Sequence, residues 1–236
     1  MKKELSPILD DAGLNLCAVF DIQNLPKDLL PSVQSIHKNK YQQLIVFAHA
    51  GKKMWQALQD SPFQAVTNPI DSFSKHTVQQ YLKHEHPEVE YQVVYPDEQQ
   101  IIPLQKLGFL AGWHHESPFR IGINQTYGSW FAYRVVVLAN TNLTPTQTIT
   151  APSPCENCTD KPCITVCPAE ALTTGNLSLQ TCLNYRLKEH SKCQTTCLSR
   201  IRCSIANEHR YSHEQIQYHY TVSMETIRSY HTEKGS

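Results

Sequence analysis

Short apolar runs divide the first 140 residues of the chain into segments of strand length. Runs that are rich in β-branched and aromatic residues are typical of buried strands. Four such runs predict strands at residues 14–20, 43–50, 90–95 and 129–140. The last of these, SWFAYRVVVLAN, has the strongest strand signal in the chain.

Helices are predicted between and beyond these strands, at residues 1–15, 52–60, 101–113 and 212–230, with loop and helix over 26–38. A further helix is expected from the Asn68-Pro69 turn through Leu82, with Asp71 or Ser72 as its N-cap. Residues 141–154 hold five Thr and three Pro and are expected to form a linker. Strands that alternate with helices favour an α/β layer fold.

Eight of the nine cysteines fall between residues 155 and 203. The first four follow the spacing Cys-x2-Cys-x4-Cys-x3-Cys-Pro, which is close to the 4Fe–4S run of bacterial ferredoxins; they are Cys155, Cys158, Cys163 and Cys167. Four more lie downstream, namely Cys182, Cys193, Cys197 and Cys203. A 4Fe–4S cluster takes four thiolates, so these cysteines predict two clusters.

The division of the cysteines between the two clusters follows from a resemblance to two-cluster ferredoxins. There the cysteine before the proline ligates the other cluster, because a tight loop directs only three thiolates at one cluster. The resemblance implies one cluster on Cys155, Cys158, Cys163 and Cys203. It implies the other on Cys167, Cys182, Cys193 and Cys197. The downstream run departs from the pattern, since Ser204 stands where a proline is expected.

Structural zinc and a disulfide framework are the alternatives for these cysteines. Zinc sites usually pair Cys-x2-Cys hooks, and only the Cys155/Cys158 pair fits that spacing. Disulfides need an oxidising compartment, whereas residues 1–16 lack the apolar core of a signal peptide. No run approaches the roughly 20 apolar residues of a membrane helix. We expect a cytoplasmic protein with no membrane partner, and we expect Cys17 to be buried and inert.

Charge adds one local feature to a chain with 21 basic and 21 acidic residues and no net charge. A surplus of four positive charges lies between residues 186 and 210, beside the downstream cysteines. The basic residues are Arg186, Lys188, Lys192, Arg200, Arg202 and Arg210. This surplus either compensates an anionic cluster or forms a docking face for an acidic or nucleic-acid partner.

Two sequence runs outside the cysteines carry a resemblance to known families. LGFLAGW, then YGSWF, a hydrophobic strand and the cysteine run resemble the order in epoxyqueuosine reductase. GINQTYGSWFAYRVVVL and the later RYSHEQIQYHY are similar to the MMACHC family of cobalamin-processing proteins. The resemblance implies a nitroreductase-like, cobalamin-binding α/β (α+β) domain over residues 1–150. A ferredoxin-like module with two 4Fe–4S clusters would follow over 151–205, and a C-terminal helix over 206–236 would pack back on the first domain.

The resemblance also implies cofactor-binding positions. Trp113 and the run Tyr127, Gly128, Ser129, Trp130 and Phe131 match residues that border the corrin pocket. Arg134 and Arg210 match arginines that hold glutathione in the MMACHC family, with ordinary structural pairing as the alternative. Two arginines can bind a carboxylate or phosphate bidentately.

The chain departs from both families at positions that carry chemistry. Asn124-Gln125 replaces a His-Pro pair, and His114-His115 replaces a lysine-bearing segment of epoxyqueuosine reductase. The run that supplies the acid of that enzyme is absent from this chain. Asp71 is the residue that comes nearest to replacing this acid. His114 and His115 are either a solvated loop pair or ligands for a transition metal.

The function implied is that of an iron–sulfur redox protein. Its clusters would pass electrons from a low-potential donor to a bound cobalamin, reducing it or removing its upper ligand. A ferredoxin-type electron carrier without cobalamin is the first alternative. An epoxyqueuosine-type reductase acting on tRNA is the second, and a flavin in place of cobalamin is a further option for the pocket.

Overall fold

The computed structural model describes residues 5–30, 33, 40–97, 101–147, 151–173 and 175–233. The chain divides into two compact units. The first unit comprises Met1–His114 and Phe131–Ala151, and the second comprises His115–Trp130 and Pro152–Ser236. The stretch His115–Trp130 thus groups with the cysteine-rich part of the chain. The domain limits expected at residues 150 and 205 stay a prediction.

A four-stranded antiparallel sheet forms the centre of the first unit. Its strands are β1 (Leu16–Asp21), β2 (Gln43–Ala50), β3 (Tyr91–Tyr95) and β4 (Phe131–Ala139), in the order β1-β2-β4-β3. All eight residues of β2 are buried, and in the register Ile45 lies between Val19 and Val137. A strand buried on both faces is a continuous apolar run, which is why β2 is so evident in the sequence.

Among its described residues, the first unit has helices α1 (Pro7–Asp11), α2 (Lys53–Gln59), α3 (Pro69–Glu85) and α4 (Leu104–Leu110). Short 3-10 turns cover Ile22–Asn24 and Pro62–Ala65. The helix expected within residues 26–38 lies largely outside the described residues.

The predicted N-cap of α3, Asp71 or Ser72, is wrong. The helix begins at Pro69, and Asn68 precedes it in a left-handed conformation with φ of 51°. Proline suits the first helical position because its fixed φ matches the helix and its missing N–H has no intrahelical partner there. Asp71 therefore lies inside the first turn, where a carboxylate is favoured by the helix dipole.

In the described part of the second unit, the helices are α5 (Pro162–Thr165), α6 (Leu179–Leu187), α7 (Leu198–Arg202) and α8 (His213–Glu233). A 3-10 turn covers Asn207–His209. Helix α8 corresponds to the helix that the sequence predicts at residues 212–230. At 21 residues it is the longest helix described, and its apolar residues, among them the buried Ile216 and Met224, are interspersed with polar and charged ones. No helix among the described residues has the apolar length that a bilayer crossing requires.

Two apolar clusters build the second unit. The first packs Phe119, Ile123 and Leu172 around Cys163 and Cys203. The second packs Trp130, Tyr211 and Ile216, with Ile201 and Tyr220 against them. Residues of the stretch His115–Trp130 contribute to both clusters, which explains why this stretch groups with the later part of the chain.

Candidate functional site

Four cysteines of the second unit line one pocket: Cys155, Cys158, Cys163 and Cys203. Cys163 lies in the short helix α5, which starts at Pro162, and Cys203 follows the last residue of α7. Both side chains are 6% exposed and pack in the apolar cluster around Phe119 and Ile123. The fold therefore brings the distant Cys203 to the three closely spaced cysteines, and we call these four the first cysteine set.

The thiols of the first cysteine set influence one another electrostatically. Burial raises the pKa of the Cys163 thiol to about 11, and Cys203, Cys155 and Cys158 add to the rise. Burial also raises the pKa of Cys155, with Cys203 as the next cause. Thiols held neutral in this way must lose their protons to ligate a metal centre, so metal binding at this site would release protons.

The remaining cysteines of the run form a second cysteine set: Cys167, Cys182, Cys193 and Cys197. Cys182 lies inside α6, and Cys197 precedes the first residue of α7. Burial raises the pKa of Cys182, followed by the effect of Cys197, while Cys167 and Cys193 contribute further. Burial is also the main cause of the raised pKa of Cys193, and Cys197 and Cys167 again add to it.

The first set lies around one pocket, and the cysteines of the second set act on one another electrostatically. Both observations are consistent with a crossed partition, which stays a prediction. Eight thiols in two groups of four have the donor chemistry and number of two 4Fe–4S sites. Within the described residues, no three His, Cys, Asp or Glu side chains are arranged to hold a single metal ion. A 4Fe–4S cluster is larger than one ion, and its thiolates lie further apart than those around zinc. Ligation of clusters by these cysteines stays a prediction.

A tight turn leads from the bridge at Asn124 into the run Tyr127–Phe131. The Asn124 side-chain oxygen accepts hydrogen bonds from the backbone N–H groups of Thr126 and Tyr127, at 2.8 and 3.0 Å. The backbone of Asn124 also pairs with Gly128 in both directions. Asn124 is therefore a turn-forming residue, a role that asparagine commonly takes. Sequence reasoning missed this role.

Gly128 occupies a position that a side chain does not fit. Its φ is +57°, and a Cβ atom there would lie 2.4 Å from the backbone oxygen of Ile205. The close approach joins the Tyr127–Phe131 run to the chain just after Cys203.

We expect Gly128→Ala to lower the free energy of unfolding by about 2–5 kcal/mol. A left-handed conformation costs an L-residue about 1–2 kcal/mol, and forcing apart a packed contact costs about 1–3 kcal/mol more. Urea unfolding followed by circular dichroism measures the loss. Gly175→Ala is the matched control, because Gly175 has φ of +77° but no atom within 4 Å of an added Cβ. A Gly128→Ala variant no less stable than this control would contradict the close approach.

Trp130 is fully buried rather than presented on a surface. Its ring meets that of Tyr211 edge to face at 5.4 Å. The guanidinium of Arg200 lies 4.6 Å from the ring centre and that of Arg210 lies 5.8 Å from it. Arg200 also donates to the backbone oxygen of Ser129. Sequence reasoning treated Arg200 only as part of a basic surplus and missed its contact with the tryptophan.

Several buried polar atoms around Trp130 have no hydrogen-bond partner among the described residues. They are Ser129 Oγ, Trp130 Nε1, Arg200 Nε and Arg210 Nε. Arg210 is otherwise engaged, because its Nη2 donates to the backbone oxygen of Ile201 and to Asn207. Of the run Tyr127–Phe131, only Tyr127 has an appreciably exposed side chain. That these residues border a corrin stays a prediction.

A separate polar group lies in the first unit around Arg134. Arg134 Nε donates to Nδ1 of the buried His49 at 2.8 Å. Burial raises the pKa of Asp71, and the positive charge of Arg134 opposes that rise. Burial likewise raises the pKa of Tyr95, on which both Arg134 and Asp71 act. A carboxyl group with a raised pKa is suited to donating a proton, so Asp71 keeps its place as the candidate acid.

Trp113 and His114 are the last two residues of the segment Met1–His114, which belongs to the first unit. Trp113 is buried, and His114 is only 8% exposed. His114 Nδ1 shares a hydrogen bond of 3.1 Å with the Tyr133 hydroxyl. The expectation of a solvated histidine pair is therefore wrong for His114, because this hydrogen bond holds its ring inside the unit. His115 belongs to the second unit, where its backbone pairs with that of Ile123.

No protein-family profile matches this sequence, and no curated protein matches it. Solved structures do resemble it. Epoxyqueuosine reductase from Streptococcus thermophilus matches with a TM-score of 0.52 and 14% identity, over 84% of this chain and 64% of that one. Epoxyqueuosine reductase in complex with an epoxyqueuosine-modified tRNA-Tyr stem loop matches with a TM-score of 0.56 and 14% identity. That match covers 88% of this chain and 66% of the enzyme.

A B12-trafficking protein from C. elegans, CblC, a homologue of human MMACHC, matches at 15% identity with a TM-score of 0.49. That match covers 90% of this chain and 88% of the B12-trafficking protein. At these identities, the likeness to epoxyqueuosine reductase shows a shared fold. The mixed α/β fold of that enzyme, with a small antiparallel sheet, is thereby confirmed for this chain, which spans a little under two thirds of the enzyme's length.

Proposed function

We propose that this chain is an iron–sulfur redox protein whose two 4Fe–4S clusters pass electrons to a bound cobalamin. The observation that carries the proposal is the grouping of eight cysteines into two sets of four. Each set combines closely spaced cysteines with at least one from a distant part of the chain. A protein with zinc knuckles would instead pair its Cys-x2-Cys hooks locally.

The cysteine sets are suited to holding clusters away from water. Cys163, Cys193 and Cys203 are buried, and the other five are partly buried. Low solvent exposure and the hydrogen bonds near the sulfurs are among the factors that set the reduction potential of a cluster. When bound, the clusters would supply one-electron chemistry, and the protein would supply thiolates, orientation and shielding.

The cobalamin part of the proposal is supported by the fold that the chain shares with epoxyqueuosine reductase. At the residue level, Tyr127, Arg134 and Arg210 are the members of the proposed set with accessible surface. Arg134 uses its Nε for His49, and in this proposal its terminal nitrogens would bind an anionic group. The buried donors at Trp130 and Arg210 are consistent with contacts that a bound molecule would complete.

A ferredoxin-type electron carrier without cobalamin is the second candidate. It is favoured by the burial of Ser129, Trp130 and Phe131, which are each at most 5% exposed. Side chains packed inside the protein do not offer a corrin a surface.

Reduction of a tRNA base is the third candidate. It is supported by the fold shared with epoxyqueuosine reductase, which was solved with a tRNA stem loop. Its sign in the sequence is the basic segment, and burial reduces that sign. Arg186 and Arg200 are both buried. The exposed charges of residues 186–210 are three positive and two negative, namely Lys188, Lys192 and Arg202 against Glu189 and Glu208. This small excess of positive charge is a poor basis for binding a phosphate backbone, because such binding depends on several cationic contacts.

The test is anaerobic reconstitution followed by metal analysis and titration with cobalamin. We expect about eight irons and eight sulfides per chain, at four of each per cluster. We also expect EPR signals of reduced 4Fe–4S clusters after addition of dithionite. Cobalamin added at micromolar concentration should then change its visible spectrum as it binds, and it should be reduced by the pre-reduced protein.

The outcomes separate the three candidates. Cluster-loaded protein that ignores cobalamin and flavin would favour the electron carrier. Tight tRNA binding that weakens steeply with salt would favour the tRNA reductase. Colourless protein with zinc on its cysteines would refute all three candidates. Free flavin mononucleotide serves as the control ligand for the pocket.

A further inference from the structure

Arg186 is a buried cation inside the second unit. Its side chain is 8% exposed, and it projects from α6 one turn after Cys182. Its Nε donates to the backbone oxygen of Cys193 at 3.0 Å. Its two terminal nitrogens donate to Ser223 Oγ at 3.1 Å and to the backbone oxygen of Tyr220 at 3.3 Å.

All three acceptors of Arg186 are uncharged. Among the residues that the structure describes, no carboxylate lies within ion-pair distance of this guanidinium. Burying a charge is costly unless an opposite charge or several hydrogen bonds compensate for it. Three hydrogen bonds to neutral groups offset only part of this cost. The described residues do not supply the negative charge that would offset the rest.

The second cysteine set lies where that partner is needed. Arg186 is four residues from Cys182 on the same helix, so the two side chains share a helix face. It is also hydrogen-bonded to the backbone of Cys193. A 4Fe–4S cluster with four thiolates carries net negative charge, and net charge is one of the factors that set its potential.

We propose that Arg186 is the built-in counter-charge of the cluster on Cys167, Cys182, Cys193 and Cys197, and that it selectively raises the reduction potential of this cluster. The proposal rests on the proposed function, because it needs the two clusters. A fixed cation stabilises the more negative, reduced cluster more than the oxidised one. The exposed cations of the same segment act through solvent and are screened.

The test is a potentiometric titration of the cluster-loaded protein, followed by EPR. In Arg186→Gln, we expect one of the two clusters to shift about tenfold toward its oxidised form at a given potential, which is about 59 mV for a one-electron couple. The other cluster should not move. Arg186→Lys keeps the charge and should shift far less. Arg202→Gln removes an equal charge from an exposed position of the segment and is the matched control.

A second variant tests the charge without removing the guanidinium. Ser223→Asp places a carboxylate at the Arg186 Nη1 contact, which is 3.1 Å long, and should lower the potential of the same cluster. This variant keeps the proposal testable if Arg186→Gln folds poorly. Unchanged potentials in Ser223→Asp, or equal shifts of both clusters in Arg186→Gln, would overturn the proposal while leaving two loaded clusters. Protein that takes up no iron would overturn this proposal and the proposed function together.

Discussion

Replacing Cys203 by serine is expected to leave the protein with about half of its iron, that is, about four irons per chain instead of about eight. Cys203 is buried in the first cysteine set, together with three cysteines that lie far upstream. A serine hydroxyl is a poor substitute for thiolate, so the cluster on this set should be lost or become labile. Iron and sulfide analysis of anaerobically reconstituted protein measures the effect, and EPR should show one remaining cluster.

Cys197→Ser is the companion variant, because Cys197 belongs to the second cysteine set. It should also retain about four irons, but with the EPR signal of the other cluster. Cys17→Ser is the control, since Cys17 lies in β1 of the first unit and should leave the full iron content. Identical residual signals in Cys203→Ser and Cys197→Ser would refute the crossed partition.

Trp130→Ala is expected to have the largest effect on stability, a loss of about 3–5 kcal/mol in the free energy of unfolding. The tryptophan is fully buried, and it contacts Tyr211 and two guanidinium groups. Its removal leaves a cavity and takes the aromatic face away from Arg200. At about 2–4 °C per kcal/mol for a chain of this size, the melting temperature should fall by about 6–20 °C.

The melting temperatures of the variants and the parent are compared by thermal scans at one fixed rate, on cluster-loaded protein under anaerobic conditions. Phe109→Ala is the control, because Phe109 is an aromatic residue that is 64% exposed and should be almost neutral. Trp130→Phe keeps a ring at the same place and should lose clearly less than the alanine variant. A melting temperature of Trp130→Ala within about 2 °C of the parent, which corresponds to no more than about 1 kcal/mol, would contradict the proposed packing.

The centre of the sheet was predictable because β2 and most of β4 are buried and leave an apolar signature. Strand β2 has the predicted limits, Gln43–Ala50, and β4 begins two residues later than expected, at Phe131. Its start depends on the turn at Asn124 and Gly128, which is formed by side-chain and backbone hydrogen bonds rather than by hydrophobic pattern. The start of α3 was missed for a similar reason, because Pro69 begins the helix after a left-handed Asn68.

The residues of the candidate site that are recognised by their type and spacing could be predicted from the sequence. Those that are distinguished by their burial could not. The cysteines stand out in the sequence because thiolates are the ligands that clusters require. Arg186 and Arg200 look like any other basic residue of the segment, and only the packing of α6, α7 and Trp130 distinguishes them from exposed Arg202. Burial of a cation depends on tertiary contacts, which have no local signature in the sequence.

The path of the chain between its two units has a consequence for how they can be separated. The backbone leaves the first unit after His114, returns to it at Phe131, and leaves again after Ala151. A single cut at residue 151 would deprive the cysteine-rich unit of Phe119, Ile123 and Trp130, which fill its two apolar clusters. The cysteine-rich unit therefore cannot be removed as one continuous segment, and transferring it to another protein would require two separate pieces of chain.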